Sequence, residues 1–150
     1  MNKLTYYIKT GYDEYQPFMS YYSGNVGVDE MYARQLCTYL VANGRQYELL
    51  SNEMQYDEEA LIVKELGPNE RYMDEVNYRG QGIFVEFRRP SEGGRRLAEK
   101  HCPDHYSVMR YLLKDVVDVP GFGQMCTTST EVDEDRGCYV VYVRGLGDCS

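Results

Sequence analysis

The sequence contains no stretch of apolar residues long enough to cross a membrane. A membrane-spanning helix needs about 18 or more consecutive apolar residues, and no run in these 150 residues approaches that length. The first residues, MNKLTYYIKTGYDEY, also lack the apolar centre of a secretory signal. These absences predict a protein that works in the cytoplasm without binding a membrane.

Two aromatic residue types are scarce, and a third replaces them. Tryptophan is absent and phenylalanine occurs 4 times, whereas tyrosine occurs 16 times. Tyrosine combines a large, rigid contact area with a hydroxyl group that stays hydrated, so this chain can present aromatic side chains at its surface. Histidine occurs only at positions 101 and 105, which confines any histidine ligand or base to one short segment.

Positive charge is in the minority. The chain has 24 acidic and 16 basic residues, a net charge of −8, which argues against nonspecific binding to DNA, RNA or anionic membranes. The composition is typical of a globular protein, and neither an internal repeat nor a domain boundary is visible. We therefore expect one domain over residues 1–150.

Residues 28–44 carry the strongest helix pattern in the chain. Asp29 is a favourable N-terminal cap, and Gly44 is placed to end a helix at its C terminus. The apolar residues between them follow the i, i+3, i+4, i+7, i+8 rule: Ala33, Leu36, Cys37, Leu40 and Val41. The pattern predicts an amphipathic helix over residues 29–43.

The remaining elements follow from alternation and turn signals. Alternating apolar residues predict strands near residues 4–8, 18–22, 45–51, 60–66, 82–88, 125–130 and 138–143. A short helix is expected within residues 91–102, and Asp104 begins another that continues to residue 114. The predicted fold class is α+β, with a mainly antiparallel sheet of about five to seven strands packed against two principal helices, 29–43 and 104–114.

Most of the net negative charge falls in one fifth of the chain. Residues 48–75 contain nine acids against two bases, with tyrosines interleaved. An acidic surface with aromatic anchors is suited to electrostatic docking on a basic protein, in the manner of a nucleic-acid mimic. The candidate partner-binding residues are Tyr47, Glu53, Tyr56, Asp57, Glu58, Glu59, Glu70, Tyr72, Asp74 and Glu75. An ordinary solvated hairpin has the same composition.

Basic residues gather just downstream, around a glycine pair. At the start of a helix, free backbone N–H groups and guanidinium groups together bind phosphate or another anion. The candidate anion-binding residues are Arg88, Arg89, Gly93, Gly94, Arg95 and Arg96. The GxxxxGK[ST] spacing of a P-loop is absent, and surface arginines paired with nearby acids are the alternative interpretation.

The cysteines and histidines suggest a third, weaker site. Five cysteines are an odd number, and Cys37 falls in a helix core stripe, which favours free thiols in a reducing compartment over a disulfide framework. The segment HCPDH has a C-x2-H spacing, and later cysteines could complete a tetrahedral zinc site or a thiol–histidine pair. The candidate metal ligands are Cys102, His105, Cys126 and Cys138.

Three functional hypotheses result. The leading one is a non-enzymatic inhibitor or adaptor, of phage or mobile-element origin, whose acidic surface docks on a basic nucleic-acid-handling protein such as a nuclease; it requires no cofactor and does not bind nucleic acid itself. The second is a protein that binds or processes a small phosphorylated ligand, such as a nucleotide, through the arginine–glycine segment. The third is a zinc or thiol enzyme centred on residues 101–105.

Overall fold

The structure, a computed structural model, describes residues 2–149 and places ten strands in one mixed sheet beside two short helices. In chain order the elements are β1 (Lys3–Gly11), β2 (Glu14–Tyr22), α1 (Val28–Gln35), β3 (Tyr39–Ala42), β4 (Arg45–Gln55), β5 (Glu58–Pro68), β6 (Ile83–Arg89), β7 (Arg95–Cys102), α2 (His105–Leu112), β8 (Val116–Val119), β9 (Gly123–Asp133) and β10 (Cys138–Gly145). No helix in this part of the chain is both long and apolar enough to cross a membrane.

The two halves of the chain repeat one topology. Each half runs hairpin, eight-residue helix, four-residue strand, long hairpin, first over residues 3–68 and again over residues 83–145. The strand order is β2-β1-β5-β4-β3 in the first half and β7-β6-β10-β9-β8 in the second. Corresponding pairs also run in the same directions, because β1–β5 and β6–β10 are parallel while the other pairs within each half are antiparallel. We call residues 3–68 the first repeat and residues 83–149 the second repeat.

One long strand joins the repeats. The C-terminal part of β9 pairs in parallel with β3, and its N-terminal part pairs with β8. Thr130 of β9 strengthens this junction, since its hydroxyl donates to the Leu36 carbonyl and accepts from the Thr38 amide. The junction makes one continuous sheet of the two repeats.

The main hydrophobic core lies between the helices and one face of the sheet. Met31 and Val108 enter it from α1 and α2, and Leu61, Phe87 and Val141 enter it from the strands of both repeats. Burial of each such side chain contributes about 1.5–3 kcal/mol. Because side chains alternate along a strand, their neighbours point to the opposite face, which we call the outer face.

The fold-class prediction of a sheet packed against two principal helices is wrong in its proportions. The sheet has ten strands rather than five to seven, and each helix has only eight residues. Sheet pairing is also mixed, because three of the ladders are parallel. The sequence pattern underestimated the sheet because β3, β7 and β8 are short or contain residues that are also common in helices.

The predicted helix over residues 29–43 is two elements. α1 ends at Gln35, Gly27 rather than Asp29 is the N-cap, and residues 39–42 form β3. Pairing of β3 with both β4 and β9 outweighs the helical periodicity, and aromatic and β-branched residues favour the strand. Asn43 and Gly44 both have positive φ, 54° and 74°, so Gly44 completes a hairpin turn instead of ending a helix.

Of the two helices predicted in the second half of the chain, one is a strand and the other is present. Residues 95–102, expected in a short helix, form β7 against β6. α2 is confirmed at the predicted position, although it ends at Leu112, and the Asp104 side chain accepts a hydrogen bond from the Ser107 amide at 2.8 Å. A side-chain cap of this kind typically contributes about 1 kcal/mol.

Candidate protein-docking surface

The acidic segment contains an exposed turn between β4 and β5. Tyr56 is fully exposed there, beside exposed Glu53, Met54 and Asp57. Glu58 follows them, but it accepts a hydrogen bond from the Tyr7 hydroxyl and lies 3.8 Å from the Lys3 amine. We call residues 53–59 the acidic tip.

Three carboxylates of the acidic tip lack basic partners in the described part of the chain. Glu53 accepts from the Ser51 hydroxyl, and Glu59 accepts from the Tyr32 hydroxyl at 2.9 Å. The Asp57 side chain is exposed and forms no salt bridge within residues 2–149. Their charges are therefore available to a partner.

The remaining predicted acids lie elsewhere. Glu70, Asp74 and Glu75 belong to the connection between β5 and β6, which leaves the opposite end of the eleven-residue β4–β5 hairpin. At about 3.3 Å per residue the two ends of this hairpin are roughly 33 Å apart. Asp74 binds the Arg88 guanidinium at 2.7 Å, and Glu75 accepts from the Tyr72 amide at 2.9 Å. The predicted acidic segment is thus not one continuous surface.

Two of the predicted tyrosines have structural roles. Tyr47 is buried on the helix side, where its ring lies 5.1 Å from the ring of Phe18. Tyr72 is half-buried beneath the Arg88 guanidinium, which lies 4.3 Å from the ring centroid. Of the three tyrosines proposed for partner binding, only Tyr56 is free to contact a partner.

An apolar groove adjoins the acidic tip. It runs between α1 and α2 with a volume of about 440 Å³. Its lining consists of Val28, Asp29, Tyr32, Gln35, Leu36, Asn52, Tyr106, Met109 and Leu113. We call this feature the interhelical groove. Two contacts connect it to the acidic tip, because Tyr32 donates to Glu59, and the Asn52 amide donates to the Gln35 side chain at 3.3 Å just before Glu53.

The predicted anion site is already occupied by acidic side chains of the chain itself. Glu92 pairs with Arg89 at 3.1 Å and with Arg95 at 3.0 Å, and Glu99 pairs with Arg96 at 3.0 Å. The amides of Gly93 and Gly94 donate to the carbonyls of Pro90 and Arg89 in the tight turn before β7. The segment therefore does not begin a helix, and its donors are used internally.

Arg88, the remaining arginine of the predicted anion site, belongs to a buried network on the outer face. Arg88 is fully buried, and its guanidinium binds Glu86 at 2.5 Å and Asp74 at 2.7 Å. Glu86, also fully buried, accepts two hydrogen bonds from Arg136 at 3.0 Å and one from Tyr78 at 2.9 Å. Residues 69–82 cover this network, so these charges hold the connecting segment on the sheet.

Two buried carboxylates have pKa values shifted in opposite directions. For Glu86, burial alone would raise the pKa, but the hydrogen bonds and charges of Arg136 and Arg88 outweigh it and lower the pKa below its ordinary value. For Glu131, burial and the negative charge of Asp133 raise the pKa to about 7. Glu131 receives a hydrogen bond from Tyr142 at 3.2 Å, but its second carboxylate oxygen is buried without a partner in the described residues.

The four predicted metal ligands are not brought together. Residues 2–149 contain no group of three or more histidine, cysteine, aspartate or glutamate side chains placed to hold a metal ion. Cys126 forms a disulfide with Cys149, while Cys102 lies in the main core and Cys138 on the outer face. The prediction of free thiols is therefore wrong for Cys126 and Cys149. Antiparallel pairing of β9 with β10 brings the C-terminal segment beside Cys126, with 6.0 Å between the two Cα atoms.

One small cavity is lined by both a histidine and a thiol. His105 and Cys138 both line a cavity of about 200 Å³, together with Glu30 and Arg34. The His105 Nε2 atom lies 3.7 Å from the Glu30 carboxylate. Burial raises the pKa of the Cys138 thiol well above its ordinary value, so the thiol is protonated at neutral pH and is a poor nucleophile.

Sequence reasoning missed the interhelical groove and the buried network. Tyr106 and Leu113 lie on the helix face away from the core, which becomes a groove only because α1 packs against α2. Arg136 and Glu86 are 50 residues apart in sequence, and no local pattern links them. The Asn43–Gly44 pair was a recognisable hairpin signal that would have ended the predicted helix earlier.

Comparison of the chain with family models, with curated proteins and with solved structures gave no match.

Proposed function

We propose that this protein is a non-enzymatic binding protein, an inhibitor or adaptor, that docks on a basic nucleic-acid-handling protein through the acidic tip. The observation that carries the proposal is that three acids of the tip have no basic partner. Glu53, Asp57 and Glu59 have no basic partner in the described residues, whereas Glu65, Glu75 and Glu92 form ion pairs.

The position of the acidic tip supports this function. Its turn extends beyond the strands that flank it, and fully exposed Tyr56 stands among the unpaired acids. Unpaired charge accelerates association with an oppositely charged surface, and an exposed tyrosine offers a large contact area with little loss of side-chain entropy. The first repeat has ten acidic and five basic residues, a net charge of −5, which favours the approach of a basic partner.

The proposed location is the cytoplasm, where a nucleic-acid-handling partner would be encountered. Cys37, Cys102 and Cys138 are buried free thiols, which suits a reducing compartment. The Cys126–Cys149 disulfide is instead typical of an oxidising one, so the redox state of these two cysteines in protein isolated from cells tests the location.

The function can be tested with immobilised protein and the set of basic proteins that a heparin column retains from a cell extract. The variant carrying Glu53→Lys and Asp57→Lys changes two unpaired acids of the tip. We expect the wild-type protein to capture members of this set, free heparin to displace them, and the variant to capture roughly 10-fold less at low salt.

A matched control distinguishes the effect of charge at the acidic tip from the effect of the protein's net charge. Glu14→Lys with Asp118→Lys changes the net charge equally at two exposed positions outside the tip, and it should retain wild-type capture. Equal capture by the tip variant and the wild-type protein at low salt would contradict the proposal.

A further inference from the structure

The interhelical groove is built from equivalent positions of the two repeats. α1 and α2 both have eight residues and both precede a four-residue strand after three connecting residues, so their positions correspond one to one. Three corresponding pairs line the groove at spacings i, i+3 and i+7 along each helix: Asp29 with Tyr106, Tyr32 with Met109, and Leu36 with Leu113. Each helix thus turns an inner stripe to the core and a second, outer stripe to the groove.

This outer stripe is an apolar surface without an occupant from the described chain. Tyr106 is 67% exposed and Leu113 is 62% exposed, although both side chains are large and line the same groove. Contiguous exposed apolar surface of this kind typically marks a binding site. We propose that the interhelical groove binds an amphipathic helix with basic flanks, presented by the same basic protein that the acidic tip recognises. This inference rests on the proposed function.

Backbone hydrogen bonding favours a helix over an extended segment as the occupant of the groove. The groove walls are helices, whose central N–H and C=O groups are bonded within each helix and cannot pair with a peptide. An extended segment would bury its own backbone groups unsatisfied, whereas a helix arrives with those groups already paired. Each wall is about 12 Å long, since eight residues rise about 1.5 Å each, which matches two or three turns of a bound helix.

Charge selects a basic partner over a second copy of this chain. Among the described residues, the groove lining contains Asp29 and no lysine or arginine, and Tyr32 connects the groove to Glu59. Arg110 and Lys114 of the α2 region line a different cavity. A second copy would bring the same acids against each other, while basic flanks would meet unpaired carboxylates.

The test uses three synthetic helix-forming peptides of about 18 residues, a length at which an alanine-rich peptide holds helix in water. The first has a leucine stripe with lysines elsewhere, the second has the same composition without a stripe, and the third replaces the lysines with glutamate. We expect the first to bind, with at least roughly 10-fold weaker binding of the other two by fluorescence anisotropy.

Variants of the full chain test whether the first peptide binds in the interhelical groove. Tyr106→Ser with Leu113→Ser removes apolar surface from the groove and should weaken binding of the first peptide at least roughly 10-fold. Phe122→Ser with Leu146→Ser is the matched control, because these residues are 48% and 49% exposed and do not line the groove. The control should bind as the wild type does, and thermal unfolding should show that both variants remain folded.

The outcomes separate this inference from the proposed function. If the groove variant binds like the wild type while Glu53→Lys with Asp57→Lys loses binding, the groove assignment is overturned and the acidic tip stands. If only the groove variant loses binding, the groove stands and the role of the acidic tip fails. No binding of the first peptide up to about 1 mM, or a dimer in sedimentation that the groove variant dissociates, also overturns the inference.

Discussion

In the first repeat, β1 and β5 carry Lys9 and Lys64 on the outer face, and both side chains are exposed. In the second repeat, the equivalent strand β6 carries Glu86 and Arg88 on that face, and both are fully buried beneath residues 69–82. The strand order of the two repeats is the same. One topology therefore supports either exposed lysines or a buried charge network on this face, depending on which residues alternate along its strands.

The long hairpins of the two repeats also differ in how exposed their turns are. The turn between β4 and β5 is the exposed acidic tip, whereas the turn between β9 and β10 contains Arg136, whose guanidinium is tied to Glu86 and Asp133. The first repeat has a net charge of −5 and the second a net charge of −2. The second repeat thus ties the turn of its long hairpin to the sheet, whereas the first leaves the corresponding turn exposed and carries more of the net negative charge.

The largest effect should come from Glu86→Gln. The change removes the charge that compensates buried Arg88 and Arg136, and breaking a buried pair of this kind typically costs about 3–5 kcal/mol. Denaturant unfolding at pH 7 measures the loss. Because the pKa of Glu86 is lowered in the folded protein, its stabilisation is full above about pH 5 and is lost as the pH falls through the folded value.

Glu58→Gln is the corresponding control in the first repeat. Its carboxylate is partly exposed and pairs with Lys3 across 3.8 Å, so the loss should stay under about 1 kcal/mol. Equal losses in the two variants would show that the repeats do not differ in the way the buried network suggests.

Cys149→Ser should have the next largest effect. The disulfide closes a loop with a sequence separation of 23, and the constraint on the unfolded chain is worth about 3 kcal/mol. Thermal unfolding with and without a reducing agent checks this. A reductant should destabilise the wild-type protein and leave the variant unchanged; an unchanged wild-type melting temperature would mean that this link does not stabilise the second repeat.

Glu131→Gln should stabilise the junction between the repeats, and the gain should depend on pH. The pKa of Glu131 is about 7 in the folded protein, above that of an unfolded glutamate near 4.3, so folding is disfavoured as the pH rises through this interval. From these two pKa values we expect the gain at pH 8 to exceed the gain at pH 4 by roughly 3 kcal/mol. Equal gains at both pH values would exclude ionisation of Glu131 as the cause.

Tyr56→Ala should have the smallest effect on stability. The side chain is fully exposed, so the change should stay within about 0.5 kcal/mol. Tyr12→Ala, at the equally open turn between β1 and β2, should behave in the same way. A large loss at position 56 in denaturant unfolding would mean that the acidic tip contributes to folding and is not free for a partner.

Several parts of the fold followed from local sequence. Alternation in residues 4–8, 82–88 and 138–143 correctly placed β1, β6 and β10, and Asp104 correctly marked the start of α2. The exposed position of Tyr56 also follows from a local signal, a polar turn between two strands. The interhelical groove could not be predicted, because it depends on which faces of α1 and α2 meet.

Local sequence was enough to predict the strands with clean alternation, the capped second helix and the negative charge, since each depends on residues close together in the chain. The strand at residues 39–42, the contact of Arg136 with Glu86 and the repeated topology arise from tertiary contacts. Strand pairing and burial of charge act between residues far apart in sequence. Their free energies exceed local helix preferences of under about 1 kcal/mol per residue, so long-range contacts set the final arrangement.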